Sequence, residues 1–108
     1  MSIQLPQAIA AFFLAENTGG TDLDQCFAEH ATVQDEGQTI RGIEAIRQWM
    51  VETHRKYLHT TEPLASNQDA DSVIVTSRLS GNFPGSPVEL KFVFTLDDDR
   101  ITSLEIRS

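Results

Sequence analysis

Asp35 is the carboxylate that the sequence places best for chemistry. Ala31, Val33 and Asp35 alternate with polar residues over positions 31–36, and a period of two is typical of a strand. We therefore expect Asp35 to share an inward face with Ala31 and Val33. Burial disfavours a charged carboxylate and brings its pKa towards the range that suits an acid or base. Two other interpretations stay open, in which Asp35 pairs with Arg41 across a hairpin or faces solvent at a turn.

Two polar residues further along the chain could add hydrogen-bond donors to Asp35. His54 comes four residues after Met50 and three before Tyr57, close to an apolar stripe. If both side chains reach a cavity mouth, the catalytic set is Asp35, His54 and Tyr57. In the alternative, His54 is an exposed last-turn residue favoured by the helix dipole, and Tyr57 is a core ring with a wet hydroxyl.

The remaining reactive side chains indicate no further centre. Cys26 and His30 are four residues apart, but a lone cysteine beside a phenylalanine is more often a small buried hydrophobe than a nucleophile. The three histidines lack metal-ligand spacing, and the acidic run 97–99 lacks the other ligands of a calcium loop. There is no Gly-rich phosphate loop. We expect neither a metal nor a cofactor.

Three helices are predicted to position these residues. Apolar residues recur at three- and four-residue spacings in two long stretches, which favours helices. Thr21 followed by Asp24 has the pattern of a helix start and predicts a short helix between them. The predicted helices cover Leu5–Glu16, Asp22–Ala28 and Gly42–Tyr57.

Strands are predicted around and after these helices. A hairpin over 31–36 and 39–41 can turn at Gly37. Segments rich in β-branched residues predict strands over 72–82, 88–96 and 101–107. A further strand over 58–67 is interrupted by Pro63. Helices first and an antiparallel meander last indicate a single α+β domain over residues 1–108, with the helices on one side of a curved antiparallel sheet.

Composition excludes several classes of partner. The chain has 108 residues, with 8 lysines and arginines against 16 aspartates and glutamates, for a net charge of -8. This charge opposes nucleic acid and anionic membrane surfaces. The lone Cys26 cannot form an internal disulfide, which favours a cytoplasmic location. The longest apolar run, 8–15, is too short to span a membrane, and no lysine or arginine precedes Arg41, so we expect no signal peptide.

Two stretches, Phe27–Asp35 (FAEHATVQD) and Arg41–Trp49 (RGIEAIRQW), resemble the SnoaL-like branch of the nuclear transport factor 2 superfamily. That superfamily includes steroid delta-isomerases and polyketide cyclases. The specific motif covers about Asp22–Trp49, and the predicted element order fits over the whole chain. The resemblance implies a cystatin-like cone, in which a curved sheet wraps around three N-terminal helices and encloses a mostly apolar pocket, commonly in a homodimer.

The resemblance also implies a role for Asp35, and it departs from the isomerases elsewhere. The matching aspartate of the steroid isomerases is the general base that moves a proton on carbon next to a carbonyl. Phe12 and Phe92 stand where those enzymes carry a tyrosine and a second, protonated aspartate that hold the oxyanion. Phenylalanine donates no hydrogen bond, so steroid isomerisation itself is not expected.

Two functions follow from these observations. The first is a small-molecule pocket protein of the isomerase, cyclase or hydrolase kind, with Asp35 as acid or base on a hydrophobic carbonyl-containing ligand. The second is a non-catalytic dimeric module for ligand binding or protein interaction, whose cavity is filled by aromatic side chains. Arg78, predicted on the outer sheet face with Val93, either pairs with Glu89 of a partner or is an ordinary solvent-exposed arginine. The predicted ligand-binding residues are Phe12, Phe27, Val33, Trp49, Met50, Phe92 and Phe94.

Overall fold

The computed structural model describes residues 4–18, 23 and 26–107, apart from the side chain of Tyr57. No helix of this part of the chain is long and apolar enough to cross a membrane. In chain order the elements are α1 (Gln7–Thr18), β1 (Phe27–Asp35), β2 (Gln38–Arg41), α2 (Ile43–Tyr57), β3 (Thr60–Asp69), β4 (Ser72–Ser80), β5 (Val88–Asp97) and β6 (Arg100–Arg107).

The described residues form two helices where the sequence predicts three. The predicted helices Leu5–Glu16 and Gly42–Tyr57 correspond to α1 and α2. Of the predicted helix Asp22–Ala28, positions 22, 24 and 25 lie outside the described residues, and Phe27 and Ala28 begin β1. Phe27 is paired with Ile101 of β6, and the amide of Ile101 donates to the carbonyl of Cys26 at 2.8 Å. Pairing with a distant strand outweighs the local helix signal here.

The six strands form one open sheet in the order β2-β1-β6-β5-β4-β3. The β3 to β6 meander is antiparallel, as expected, but β1 pairs with β6 in parallel. The sheet is therefore mixed, which corrects the expectation of a wholly antiparallel sheet. A parallel pair joins strands that are far apart in sequence, and the short-range patterns that predict hairpins carry no information about it.

Pro63 lies within β3 without ending it. The register between β3 and β4 shifts between Pro63 and Ala65, and β3 is at the edge of the sheet. An edge strand with an irregularity tolerates a residue that cannot donate to the ladder.

The β1–β2 hairpin positions Asp35. Glu36 and Gly37 have φ values of 52° and 78°, and positive φ at both central residues is typical of the tight turns that match the twist of a hairpin. Asp35 consequently pairs with Gln38 at the last position of β1. At the other end of β2, the Gly42 amide donates to the carbonyl of Ala31, and α2 follows at once.

Phe12 lies at the centre of the core between α1 and the sheet. It is fully buried and makes edge-to-face contacts with four other rings at centroid distances of 5.2 to 6.0 Å. The inward face of β5 contributes two of these rings, at alternate positions of the strand. The rings around Phe12 are Phe13, Phe27, Phe92 and Phe94.

Arg78 lies on the exposed outer side of β4 and faces Glu89 in the register with β5. Its guanidinium nitrogens are 3.7 Å from Glu62 and 3.9 Å from Glu89 of the same chain. Ion pairs this exposed contribute little to stability.

Candidate functional site

A cavity of about 820 Å³ lies between α2, the β1–β2 hairpin and the sheet. One face of α2 lines it, since the lining residues of this helix are three or four positions apart and so share one face. They are Ala45, Gln48, Trp49, Glu52, Thr53 and Lys56. The sheet and the β4–β5 loop supply an apolar side, made by Leu79, Phe83, Val88, Leu90, Phe92 and Ile106. The cavity is therefore apolar towards the sheet and polar towards the helix and the hairpin.

Asp35 lines the cavity and is half-buried. Its pKa is raised from 3.8 to about 6, chiefly because burial removes water from the carboxylate, and further because the charges of Glu36 and Glu16 repel it. A hydrogen bond from the Trp49 side chain acts in the opposite direction and lowers the pKa. The indole N–H is the only donor that this side chain has. With a pKa of about 6, the Asp35 carboxyl changes its protonation state close to neutral pH.

The hairpin register separates Asp35 from Arg41. Arg41 faces Thr32 across the ladder, three pairs away from the Asp35–Gln38 pair. Both side chains line the cavity, but the described ion pairs do not include one between them.

The aromatic and aliphatic residues singled out from the sequence divide into two groups. Trp49 and Phe92 line the cavity. The others are buried in the core cluster and do not line it. The core group comprises Phe12, Phe27, Val33, Met50 and Phe94.

His54 and Tyr57 are on the last turns of α2. His54 is partly buried outside the cavity lining, with its ring centroid 6.0 Å from that of His59. Its Nδ1 is buried and has no hydrogen-bond partner in the part of the chain that the structure describes. The Tyr57 side chain lies outside the described part of the structure. The structure therefore brings together Asp35, Trp49 and Phe92 from the residues predicted for the site.

Sequence reasoning did not single out Glu16 and His59, which also line the cavity. A signal for Glu16 was present, since it falls seven residues after Ile9 and four after Phe12, on the buried stripe of α1. A carboxylate on such a stripe is unusual. His59 has a weaker signal, because it alternates with the buried Thr61 at the start of β3.

The arrangement combines a carboxyl of raised pKa with several hydrogen-bond donors. Arg41, Gln48 and Lys56 line the same cavity as Asp35 and carry the N–H groups that can hold an oxygen atom of a ligand. Thr53 also lines it, but its hydroxyl donates to the carbonyl of Trp49 at 2.7 Å. Within residues 4–18, 23 and 26–107, no three histidine, cysteine, aspartate or glutamate side chains are placed to hold a metal ion.

Comparisons with known proteins agree with this fold. The family model of the SnoaL-like domain matches residues 9–104. The chain is 41% identical to a proposed polyketide cyclase from Sinorhizobium meliloti, with a TM-score of 0.90 over 95% of each chain. No curated protein matches the sequence.

Two more distant structures extend the comparison. A protein of ketosteroid isomerase-like fold from Catenulispora acidiphila, solved in complex with trimethylamine, is 21% identical, with a TM-score of 0.82 over 97% of this chain and 87% of that one. An epoxide hydrolase/cyclase-like enzyme of pyran ring formation in the polyether salinomycin is 25% identical, with a TM-score of 0.74 over 93% and 86%. The chain belongs to the SnoaL-like domain family and has the nuclear transport factor 2-like fold.

Proposed function

We propose that this protein is a small-molecule pocket protein in which Asp35 acts as acid or base on a hydrophobic, carbonyl-containing ligand. The observation that carries the proposal is the Asp35 carboxyl in the cavity lining, with a pKa raised to about 6. A group with this pKa is present in both protonation states near neutral pH, which suits general acid–base catalysis. Similarity to a proposed polyketide cyclase and to an epoxide hydrolase/cyclase-like enzyme supports reactions of the cyclase or hydrolase kind.

The proposed chemistry is a proton shuttle at one carboxyl group. The Asp35 carboxylate takes a proton from the carbon next to the ligand carbonyl, and the carboxylic acid then returns that proton to the ligand. The negative charge that develops on the ligand oxygen requires a donor. Arg41 and Gln48 are candidates, since they line the cavity while Phe12 and Phe92 have no N–H or O–H to donate.

The ligand proposed for this cavity is uncharged. The apolar side offers Leu90, Phe92 and Ile106 for a hydrophobic skeleton. The half-buried carboxyl group of Asp35 and the buried one of Glu16 oppose a ligand carboxylate. A homodimer and a cytoplasmic location also stay proposals, the first from the family resemblance and the second from the lone Cys26.

The first experiment is a carbon-detected NMR pH titration of the Asp35 carboxyl, with Asp35→Asn to assign the signal. We expect a midpoint of about 6. A midpoint at or below 3.8 would mean a solvated or paired carboxylate and would contradict the role as acid or base. The non-catalytic binding or interaction module would then be the better function.

A matched pair of probes tests the ligand class. Acetophenone and benzoate share a ring and differ in the charge of the polar group. At pH 7.5 we expect acetophenone to shift the amide signals of the cavity residues and benzoate to bind at least ~10-fold more weakly, because it meets the Asp35 carboxylate. In Asp35→Asn the difference should shrink. Equal binding of both probes to the wild type would argue against an uncharged ligand.

A further inference from the structure

Glu16 and His59 form a buried pair in the lining of the same cavity, and the proposed chemistry at Asp35 leaves them unused. Glu16 is near the end of α1, and His59 lies directly before β3. The distance from His59 Nε2 to Glu16 Oε1 is 2.9 Å, and the two side chains are only 3% and 5% exposed. The distance is that of a hydrogen bond, and both titratable side chains are almost fully buried.

Each member of the pair has a second polar atom that no described residue contacts by a hydrogen bond. Glu16 Oε2 and His59 Nδ1 are buried without a hydrogen-bond partner among the described residues. A buried carboxylate without a cation is costly, and a proton on the imidazole or on the carboxyl makes the pair neutral. The pair therefore has two charge states, neutral with one proton between its members and negative without it.

Two hydrogen bonds next to the pair connect the two segments that carry it. The neighbouring Asn17 side chain donates to the carbonyl of Thr61 at 3.0 Å and accepts from the amide of Thr61 at 2.7 Å. These two bonds tie the end of α1 to the start of β3. The segments that carry Glu16 and His59 are therefore held against each other by bonds outside the pair.

We propose that the Glu16–His59 pair is a second proton-holding group of this cavity, and that its charge state sets how tightly Asp35 holds its own proton. Glu16 and His59 are then positioning residues, which act through Asp35. The inference rests on the proposed function in one respect only, that the cavity around Asp35 is the working site. It deepens that function by explaining what sets the affinity of Asp35 for its proton when no ligand is bound.

The electrostatics of the cavity support this coupling. The Glu16 charge is among the causes that raise the pKa of Asp35. An imidazolium at His59 would offset that charge, so loss of the proton from the pair should strengthen proton binding at Asp35. Two groups that interact in this way titrate as a unit. The other ionisable residues that face this region are Glu36, Arg41, Glu52 and Lys56 in the lining, and His54 beside His59.

The test measures the Asp35 titration midpoint by carbon-detected NMR in Glu16→Gln and His59→Gln. Glu16→Gln removes a negative charge and keeps an acceptor for His59, so the midpoint should fall by ~0.5 pH unit or more, a roughly threefold change in the proton dissociation constant. His59→Gln removes the offsetting cation, so the midpoint should rise. Shifts of opposite sign are not expected from a merely structural pair, whose loss would lower stability alone.

The matched control is Glu52→Gln, the same substitution at an exposed position of the same cavity. We expect it to leave the Asp35 midpoint within ~0.2 pH unit of the wild type, because water screens an exposed charge. An Asp35 midpoint that is unchanged in Glu16→Gln or in His59→Gln, with amide spectra that report a folded protein, overturns the inference. A wild-type midpoint at or below 3.8 would instead overturn the proposed function.

A measurement on the wild type covers the case in which a variant does not fold. The ring nitrogens of His59 report its tautomer and charge by ¹⁵N NMR. If the pair and Asp35 are coupled, the ¹⁵N shifts of His59 must inflect at the Asp35 midpoint. A His59 ring that stays constant through that pH range would refute the coupling.

Discussion

At the scale of single residues, the environment of Asp35 follows from three neighbours. The turn at Glu36 and Gly37 ends β1 directly after it, and Trp49 approaches from α2 with one hydrogen bond. One bond does not replace the water that a carboxylate loses on burial, and the nearby acidic groups add repulsion. Asp35 therefore costs stability wherever it is ionised, which is typical of residues kept for function.

Asp35→Asn should stabilise the protein in a pH-dependent way. The folded-state pKa of about 6 exceeds the unfolded value of 3.8, so folding favours the protonated form. The stability that this preference contributes is present below 3.8 and is lost as the pH rises through about 6. With a discount for partial exposure, we expect Asp35→Asn to raise the free energy of unfolding by about 1–2 kcal/mol at pH 8, relative to its effect at pH 4.

Urea denaturation from pH 4 to pH 8 measures this difference. Asp69→Asn, an exposed aspartate at the end of β3, serves as the control and should show no such pH dependence. A loss of stability in Asp35→Asn that grows as the pH rises would mean that the carboxylate is stabilising, and an effect equal at all pH values would mean that folding leaves its pKa unchanged. Either result is contrary to the argument from burial.

At the scale of elements, the contact between α1 and β3 determines which side chains line one end of the cavity. Glu16 and Asn17 are consecutive residues of α1, and each bonds to the segment that begins with His59. The helix thus supplies Glu16 of the buried pair and, through Asn17, two hydrogen bonds to the segment that carries His59. α2 contributes differently, by placing one stripe of side chains along the opening.

Asn17→Ala should loosen this junction. The substitution removes two side-chain hydrogen bonds to the Thr61 backbone, and we expect a loss of about 1–2 kcal/mol in the free energy of unfolding. The His59 ring signals should also broaden or shift, since its neighbour is no longer held. Asn82→Ala, in the exposed β4–β5 loop, is the matched control, and a similar loss there would rule out a special role for Asn17.

At the scale of the whole molecule, an open six-stranded sheet with two helices leaves a space that the helices do not fill. Phe12 and the rings around it close the part of the sheet beneath α1, while the region beneath α2 retains about 820 Å³. The outer side of the sheet is mostly polar. Its few apolar residues include Ile74 and Val93, which face each other in the β4–β5 register.

The proposed homodimer can be tested on this outer side. Light scattering should give a mass twice the 12.0 kDa of the chain. If the outer face forms the interface, Val93→Glu should yield a monomer, because it buries a charge beside Glu105. Ser66→Glu, at an exposed position of the edge strand β3, should leave the mass unchanged. A monomeric wild type at working concentration would remove the dimer from the proposal.

The sequence by itself determined the elements and their inward faces. The spacings that predict α1, α2 and the β3 to β6 meander are local, and a period of two was enough to place Asp35 with Ala31 and Val33 on one face of β1. Local patterns failed where a distant partner decides, as at Phe27, which pairs with Ile101 of β6 and begins β1 with Ala28 instead of ending a helix.

Only the tertiary structure decided which buried residues meet. Glu16 and His59 are 43 positions apart, and no spacing rule connects them. The same holds for the aromatic residues. Periodicity places Phe92 and Phe94 on one face, and both rings contact the phenylalanines of α1, but only the tertiary structure shows that Phe92 also lines the cavity and Phe94 does not. Hydrophobic attraction is non-directional, so the sequence specifies that these rings are buried, and the fold specifies what each one touches.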